Sequence, residues 1–135
     1  MGRIWILWGC IFGFISVALG AFGAHGLKSI LDNSDMAILS TANQYMTYHA
    51  LALLALGLWS HWEKRSSSLW AGLCFTVGIV LFSGSLYVLV FMDLRAAGMI
   101  TPMGGTLFLI GWILFALSVI RTKSNITQTI VQNSP

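Results

Sequence analysis

Charged side chains are scarce in this chain of 135 residues: seven Lys and Arg and four Asp and Glu, 8% in all, where a soluble domain carries about 25%. A water-exposed surface cannot be assembled from so few, and a soluble fold is excluded. The seven basic residues are scattered between apolar runs, so the net charge of +3 makes no continuous patch and no nucleic-acid partner is expected. Cysteine is equally sparse. Cys10 and Cys74 both fall inside apolar runs and form no Cys-x-x-Cys, which argues against a disulfide framework and reads instead as two small buried hydrophobes. What remains is apolar: 57% hydrophobic residues plus 14 glycines, together about two-thirds of the chain against about half in a typical globular domain.

Crossing about 30 Å of hydrocarbon at 1.5 Å per residue takes roughly 20 apolar residues. Four stretches meet or approach that length: 4–23, 43–61, 69–91 and 102–120. The second is the weakest, with Asn43, Gln44, Tyr48 and His49 at its start. A longer helix from about Ser34, capped by Asn33 or Ser34 and carrying Asp35 in its first turn, supplies the missing length. Thr101 and Pro102 suit the cap and first helical position of the fourth, behind a loop-like stretch 93–100, and 24–33 reads as an interfacial turn or short helix. The expected fold is therefore all-α, a compact bundle of four transmembrane helices over residues 1–121, followed by a polar cytoplasmic tail, 122–135, that frays. A cleaved leader fits poorly: Leu7-Trp8-Gly9-Cys10 looks like a lipoprotein cleavage box, but Cys10 comes too early to leave room for a charged and an apolar region before it.

With four spans the N-terminus, the middle loop and the tail share one side, which holds Arg3, Lys64, Arg65, Arg121 and Lys123. The other side has Lys28 and Arg95 beside Asp32, Asp35 and Asp93. This bias puts both termini in the cytoplasm. Trp5, Trp8, Trp59, Trp62 and Trp70 fall near span ends, as an aromatic belt requires.

In the first span Gly9, Gly13, Ser16, Gly20 and Gly23 follow spacings of 4, 3, 4 and 3, one helix face of small residues along which a neighbouring backbone can approach closely. The fourth offers Gly104, Gly111 and Ser118, and the third Gly72, Thr76 and Ser83. Packing within one tight bundle is the simpler use of these faces, and a homodimer seam is the other.

Four short motifs then occur in order: Val17-Ala18-Leu19-Gly20-Ala21-Phe22-Gly23-Ala24-His25-Gly26, Tyr48-His49-Ala50-Leu51-Ala52, Leu81-Phe82-Ser83-Gly84-Ser85-Leu86-Tyr87, and Thr101-Pro102-Met103-Gly104-Gly105 with Gly111-Trp112. Over about 120 residues the chain resembles the YgdD/YwdK family of small bacterial membrane proteins. The resemblance implies four spans in the inner membrane and supplies no reaction and no site residues.

Polar groups at membrane depth are costly and are either satisfied within the bundle or placed for work. His25 after the first span and His49 near the start of the second belong at the non-cytoplasmic end, where antiparallel spans let the imidazoles approach each other, with Tyr45 and Tyr48 nearby. These four residues are the candidate ligand-binding set. Two histidines without a carboxylate or thiolate at matching depth are too few for zinc, so neither a metal nor another cofactor is expected. Ser83 and Ser85 have no evident base or oxyanion hole, and no catalytic residue is assigned. The chain reads as a non-enzymatic inner-membrane protein, a small accessory or binding component whose surroundings are the lipid bilayer and, beyond it, a second copy or another membrane protein. The alternative is an oligomeric small-molecule or proton permease with His25 and His49 at its mouth.

Overall fold

The computed structural model describes residues 2–27, 29–62 and 66–132, with backbone alone at 24, 25, 62, 66 and 121–132. Four helices follow in order: α1 (Gly2–Phe22), α2 (Asn33–Trp62), α3 (Ser66–Met92) and α4 (Thr101–Gln132). A π-helical turn, Gly23–Leu27, closes α1, and a 3-10 turn, Arg95–Met99, precedes α4. No strand occurs among the described residues. The stretches Gly2–Phe22, Ser67–Met92 and Arg95–Ile120 are long and apolar enough to cross a membrane. α2 is the longest of the first three helices, but Asn33, Ser34, Asp35, Ser40, Asn43 and Gln44 make its first half polar.

The helix ends correct the expected cap. α2 is capped by Asp32 rather than Asn33 or Ser34: its Oδ1 accepts the backbone N–H of Asp35 at 2.8 Å and the Ser34 hydroxyl at 2.9 Å. A carboxylate at that place both satisfies an orphan donor and complements the helix dipole. These two hydrogen bonds hold the Asp32 carboxyl below its ordinary pKa, with a smaller pull from Arg95. α2 thus starts at Asn33, one residue before the longer helix expected from about Ser34 and ten before the hydropathic span 43–61. At the other end of the chain α4 continues to Gln132 through most of the segment expected to fray, since 122–132 contains neither Gly nor Pro to stop it. α3 ends where Asp93 takes φ 50°, a left-handed conformation that Asp tolerates better than most residues.

The main seams run α1 against α2, α2 against α3 and α3 against α4. Along the first, Gly2 lies on the backbone of Gly57, Gly9 on Ala50 and Leu54, Ser16 on Asn43 and Gly23 on Leu39. The α1 residues recur every seven and the α2 residues fall as they rise, so the helices are antiparallel with a 3.5-residue repeat, the pattern of left-handed pairs. A Cβ on Gly9 would stand 2.8–2.9 Å from Leu54 and from the Ala50 carbonyl. Gly13 is a correction: no atom lies within 4 Å of where its Cβ would be. Alternating spacings of 4 and 3 also average 3.5, but the line packed along its length is the single seven-residue repeat Gly2, Gly9, Ser16 and Gly23, and Gly13 stands off it. The α3–α4 seam repeats the device, with Gly104 on the Phe82 backbone, Gly111 on Phe75 and Ser118 fully buried.

Trp5 is a second correction. It is 3% exposed, not part of a belt, because Gly72 of α3 leaves a hollow that its indole fills. The core continues through Leu53, Leu56, Phe75 and Ile79, all at most 1% exposed. The Lys28, Lys64 and Arg65 positions used for orientation lie outside the described residues, as do the side chains of His25, Trp62, Arg121 and Lys123.

Candidate functional site

A layer of polar groups crosses α1, α2 and α3. Asn43, on the α2 face turned to α1, is its centre. Its Oδ1 lies 3.1 Å from the Ser16 hydroxyl and accepts the Tyr87 O–H at 3.2 Å. Thr47 donates to the Asn43 carbonyl at 2.9 Å and touches Ser16 through its own hydroxyl. Hydroxyls from three helices therefore converge on one residue, two on its side-chain amide and one on its backbone carbonyl, an arrangement that suits a medium with no water to serve the same groups. Below it Ser83 donates to the Ala42 carbonyl at 2.7 Å, tying α3 to α2, and Ser85 bonds the Phe82 carbonyl and the Thr101 hydroxyl. The serines in the third span are thus spent on helix carbonyls and on each other's neighbours.

The Oδ1 side of Asn43 is engaged, and its Nδ2 has no hydrogen-bond partner among the described residues. Nδ2 lies beside Gly20, where a Cβ would be 2.9 Å away, and Asn43 helps to line a groove of about 300 Å³ between α1 and α2 with Leu19, Gly20, Met36, Leu39, Ser40 and Gln44. An amide gives two N–H donors, and the walls around this one are mainly apolar. A larger hollow, about 480 Å³ and almost wholly apolar, lies between α3 and the 3-10 turn, bordered by Val80, Leu81, Gly84, Val88, Leu94 and Ile100.

His49 is placed differently from its expectation. It is the seventeenth residue of α2, halfway along the helix and not at its start, because α2 begins at Asn33. Only 5% of it is exposed. Phe108 stacks on the imidazole with centroids 3.4 Å apart, and Phe75 and Trp112 close two further sides. Nδ1 is 2.8 Å from the Tyr45 carbonyl and Nε2 accepts the Trp112 indole N–H at 3.3 Å. The Nδ1–H tautomer satisfies both. The approach of His25 to His49 is not what the backbone gives: Gly23 lies opposite Leu39, ten residues before His49, which sets the two histidines roughly 15 Å apart along the bundle at 1.5 Å per residue. The His25 side chain itself lies outside the described residues.

Of the other candidates, Tyr45 stacks on Phe82 and stays 38% exposed, while Tyr48 is 52% exposed on the outer face of α2, where it accepts a hydrogen bond from Gln44. Asn43, Ser16 and Tyr87 as a unit were missed by sequence reasoning. The signal that finds them is the seven-residue ladder Asn43, Ala50, Gly57 running against Gly2, Gly9, Ser16, which sets the only amide of one ladder against the only hydroxyl of the other. Cys10 and Cys74 are free thiols, and among the described residues no three of His, Cys, Asp and Glu gather in one place. Trp5 Nε1, Ser68 Oγ and Thr76 Oγ1 are buried without a hydrogen-bond partner among the described residues.

A family model described as "Protein of unknown function (DUF423)" matches residues 19–105. A UPF0382 membrane protein of Staphylococcus epidermidis is 41% identical over 119 residues, covering 88% of this chain and 97% of that protein. A UPF0382 membrane protein of Haemophilus influenzae is 44% identical over 116 residues, 83% of this chain and 90% of its own. The UPF0382 inner membrane protein YgdD of Escherichia coli is 40% identical over 121 residues, 90% and 92% of the two chains. No solved structure matches.

Proposed function

Because this chain belongs to the DUF423 family, and is with its relatives an integral membrane protein, we propose that it serves the inner membrane as a small binding component and not as an enzyme or a permease. The observation that supports this reading is Asn43: the Ser16 and Tyr87 hydroxyls meet its side-chain oxygen, Thr47 takes its backbone carbonyl, and the residue lines the groove between α1 and α2. A ligand suited to it carries hydrogen-bond acceptors that reach Asn43 past the apolar walls of Leu19, Met36 and Leu39. A diacyl lipid seated in the groove with its ester carbonyls sunk to the level of Asn43, below those of the bulk bilayer, has that chemistry. The permease reading has less support, since His49 is enclosed by aromatic rings with both nitrogens engaged. Against catalysis stands the use of the Ser16, Thr47, Ser83 and Ser85 hydroxyls and of the His49 imidazole in bonds within the bundle. The excess of basic residues on the side of the termini supports an orientation with both ends in the cytoplasm.

The test is lipid retention. Protein purified in mild detergent should carry a diacyl lipid visible by native mass spectrometry, and Asn43→Leu should lose it. Gly20→Ala, which keeps the amide network and presses a methyl on Nδ2, should lower occupancy in a protein that remains folded. Equal retention by all three proteins would overturn the reading.

A further inference from the structure

The exposed face of α2 is not one that lipid would cover well. Residues Ala37, Thr41, Gln44, Tyr48, Leu51 and Ala55 are all exposed and fall on one line, at spacings that alternate 4 and 3. Gln44 and Tyr48 lie in the middle of it. Their depth follows from the α1–α2 register: the adjacent Asn43 faces Ser16, six residues and roughly 9 Å from the end of α1, well inside the hydrocarbon that α1 spans. Gln44 Nε2 donates one N–H to the Tyr48 hydroxyl at 2.8 Å. That leaves a second N–H, the Oε1 acceptor and the Tyr48 proton without a partner among the described residues, on exposed side chains, in a medium that offers none.

We propose that this face is the interface of a two-fold dimer, in which Gln44 and Tyr48 of each copy hydrogen-bond to the same pair on the other. The occupant is a second copy of this chain for a geometric reason. Every copy enters the membrane with the same orientation, so two α2 helices meet in parallel and place identical residues at identical depth. An amide has both donor and acceptor, so the pair is its own complement, as an isologous contact requires. Tyr48 of one copy gives its proton to Gln44 Oε1 of the other, and the spare N–H of each amide meets the opposing oxygen. The exposed line has the 3.5-residue period of a left-handed parallel pair, and Ala37, Thr41 and Ala55 are small enough to let the backbones approach.

Cysteine crosslinking in the full chain tests this. On a Cys10→Ala, Cys74→Ala background, single cysteines at Thr41→Cys and Leu51→Cys, both on the line, are compared with Phe14→Cys on α1 and Val80→Cys on α3, which are also exposed. Oxidation in bacterial membranes and in dilute proteoliposomes should give a dimer of the chain at 41 and 51 and little at 14 and 80. Adding Gln44→Leu, which enlarges the apolar face, should reduce association about tenfold, the equivalent of ~1.4 kcal/mol. Equal crosslinking at all four positions, an adduct of another mass in place of the dimer, no adduct at any position, or association unchanged by Gln44→Leu would each overturn the proposal.

Discussion

Asn43 and His49 sit six residues apart on α2, Asn43 held through its Oδ1 and His49 through both ring nitrogens. For His49 this makes the consequence of substitution specific. His49→Ala strands the Trp112 indole N–H, which costs about 1–3 kcal/mol if it stays buried, and also removes the ring on which Phe108 stacks. His49→Gln keeps a donor for the Tyr45 carbonyl and an acceptor for Trp112. Thermal unfolding in detergent should therefore show a large loss for Ala and substantial recovery for Gln, and any phenotype of a deletion strain should follow the same order. A folded Gln variant with the full deletion phenotype would assign His49 a working proton. That a polar histidine lay at membrane depth was legible from its place in an apolar run. Its partners were not, because Phe75, Phe108 and Trp112 come from helices whose register against α2 is set by glycines far from it in the chain.

Elements were more legible than residues. Composition alone demanded membrane helices, and the small-residue repeats on α1 and α4 identified the faces that pack. Hydropathy alone did not reveal where α2 begins, since Asn33, Ser34 and Asp35 open it, and the start expected near Ser34 came from capping chemistry, with Asp32 supplying the cap. The difference between the packed seven-residue line and the small residues beside it separates two variants. Gly9→Leu meets Leu54 and the Ala50 carbonyl and should destabilise by about 1–3 kcal/mol or more. Gly13→Leu projects into open space and should lie within about 0.5 kcal/mol of the parent. Unfolding in graded denaturing detergent would rank them. The Asp32 cap gives a pH dependence with a definite sign. Its carboxyl is held below the ordinary value of 3.8 by the Asp35 and Ser34 hydrogen bonds. The folded state therefore binds its proton less readily than the unfolded one, so the stabilisation is complete above the ordinary value and fades as pH falls through the lower, folded one. The Asp35 amide resonance, shifted downfield by its carboxylate partner at neutral pH, should move upfield with a midpoint below 3.8. Asp32→Asn, which still accepts the bond, should abolish that titration.

At the scale of the whole molecule the bundle is two antiparallel pairs, each closed by its own glycine seam, joined where α2 meets α3. α1, α3 and α4 are apolar enough to partition into a bilayer by themselves, and α2 is not. Biogenesis inherits this asymmetry. A nascent α2 leaving the translocon has a first half that prefers water, and what makes lipid acceptable to it is α1, whose Ser16 engages Asn43 and Thr47 and whose Gly20 leaves room for the amide. The first two spans should therefore enter as a hairpin, with α1 held laterally until α2 has been synthesised. In a glycosylation-mapping assay of full-length chains, replacing α1 by a polyleucine span of the same length should leave α2 largely outside the bilayer. Restoring Gly9, Ser16 and Gly20 within that polyleucine should bring it back in. Insertion of α2 behind unmodified polyleucine would mean that its own hydrophobicity suffices.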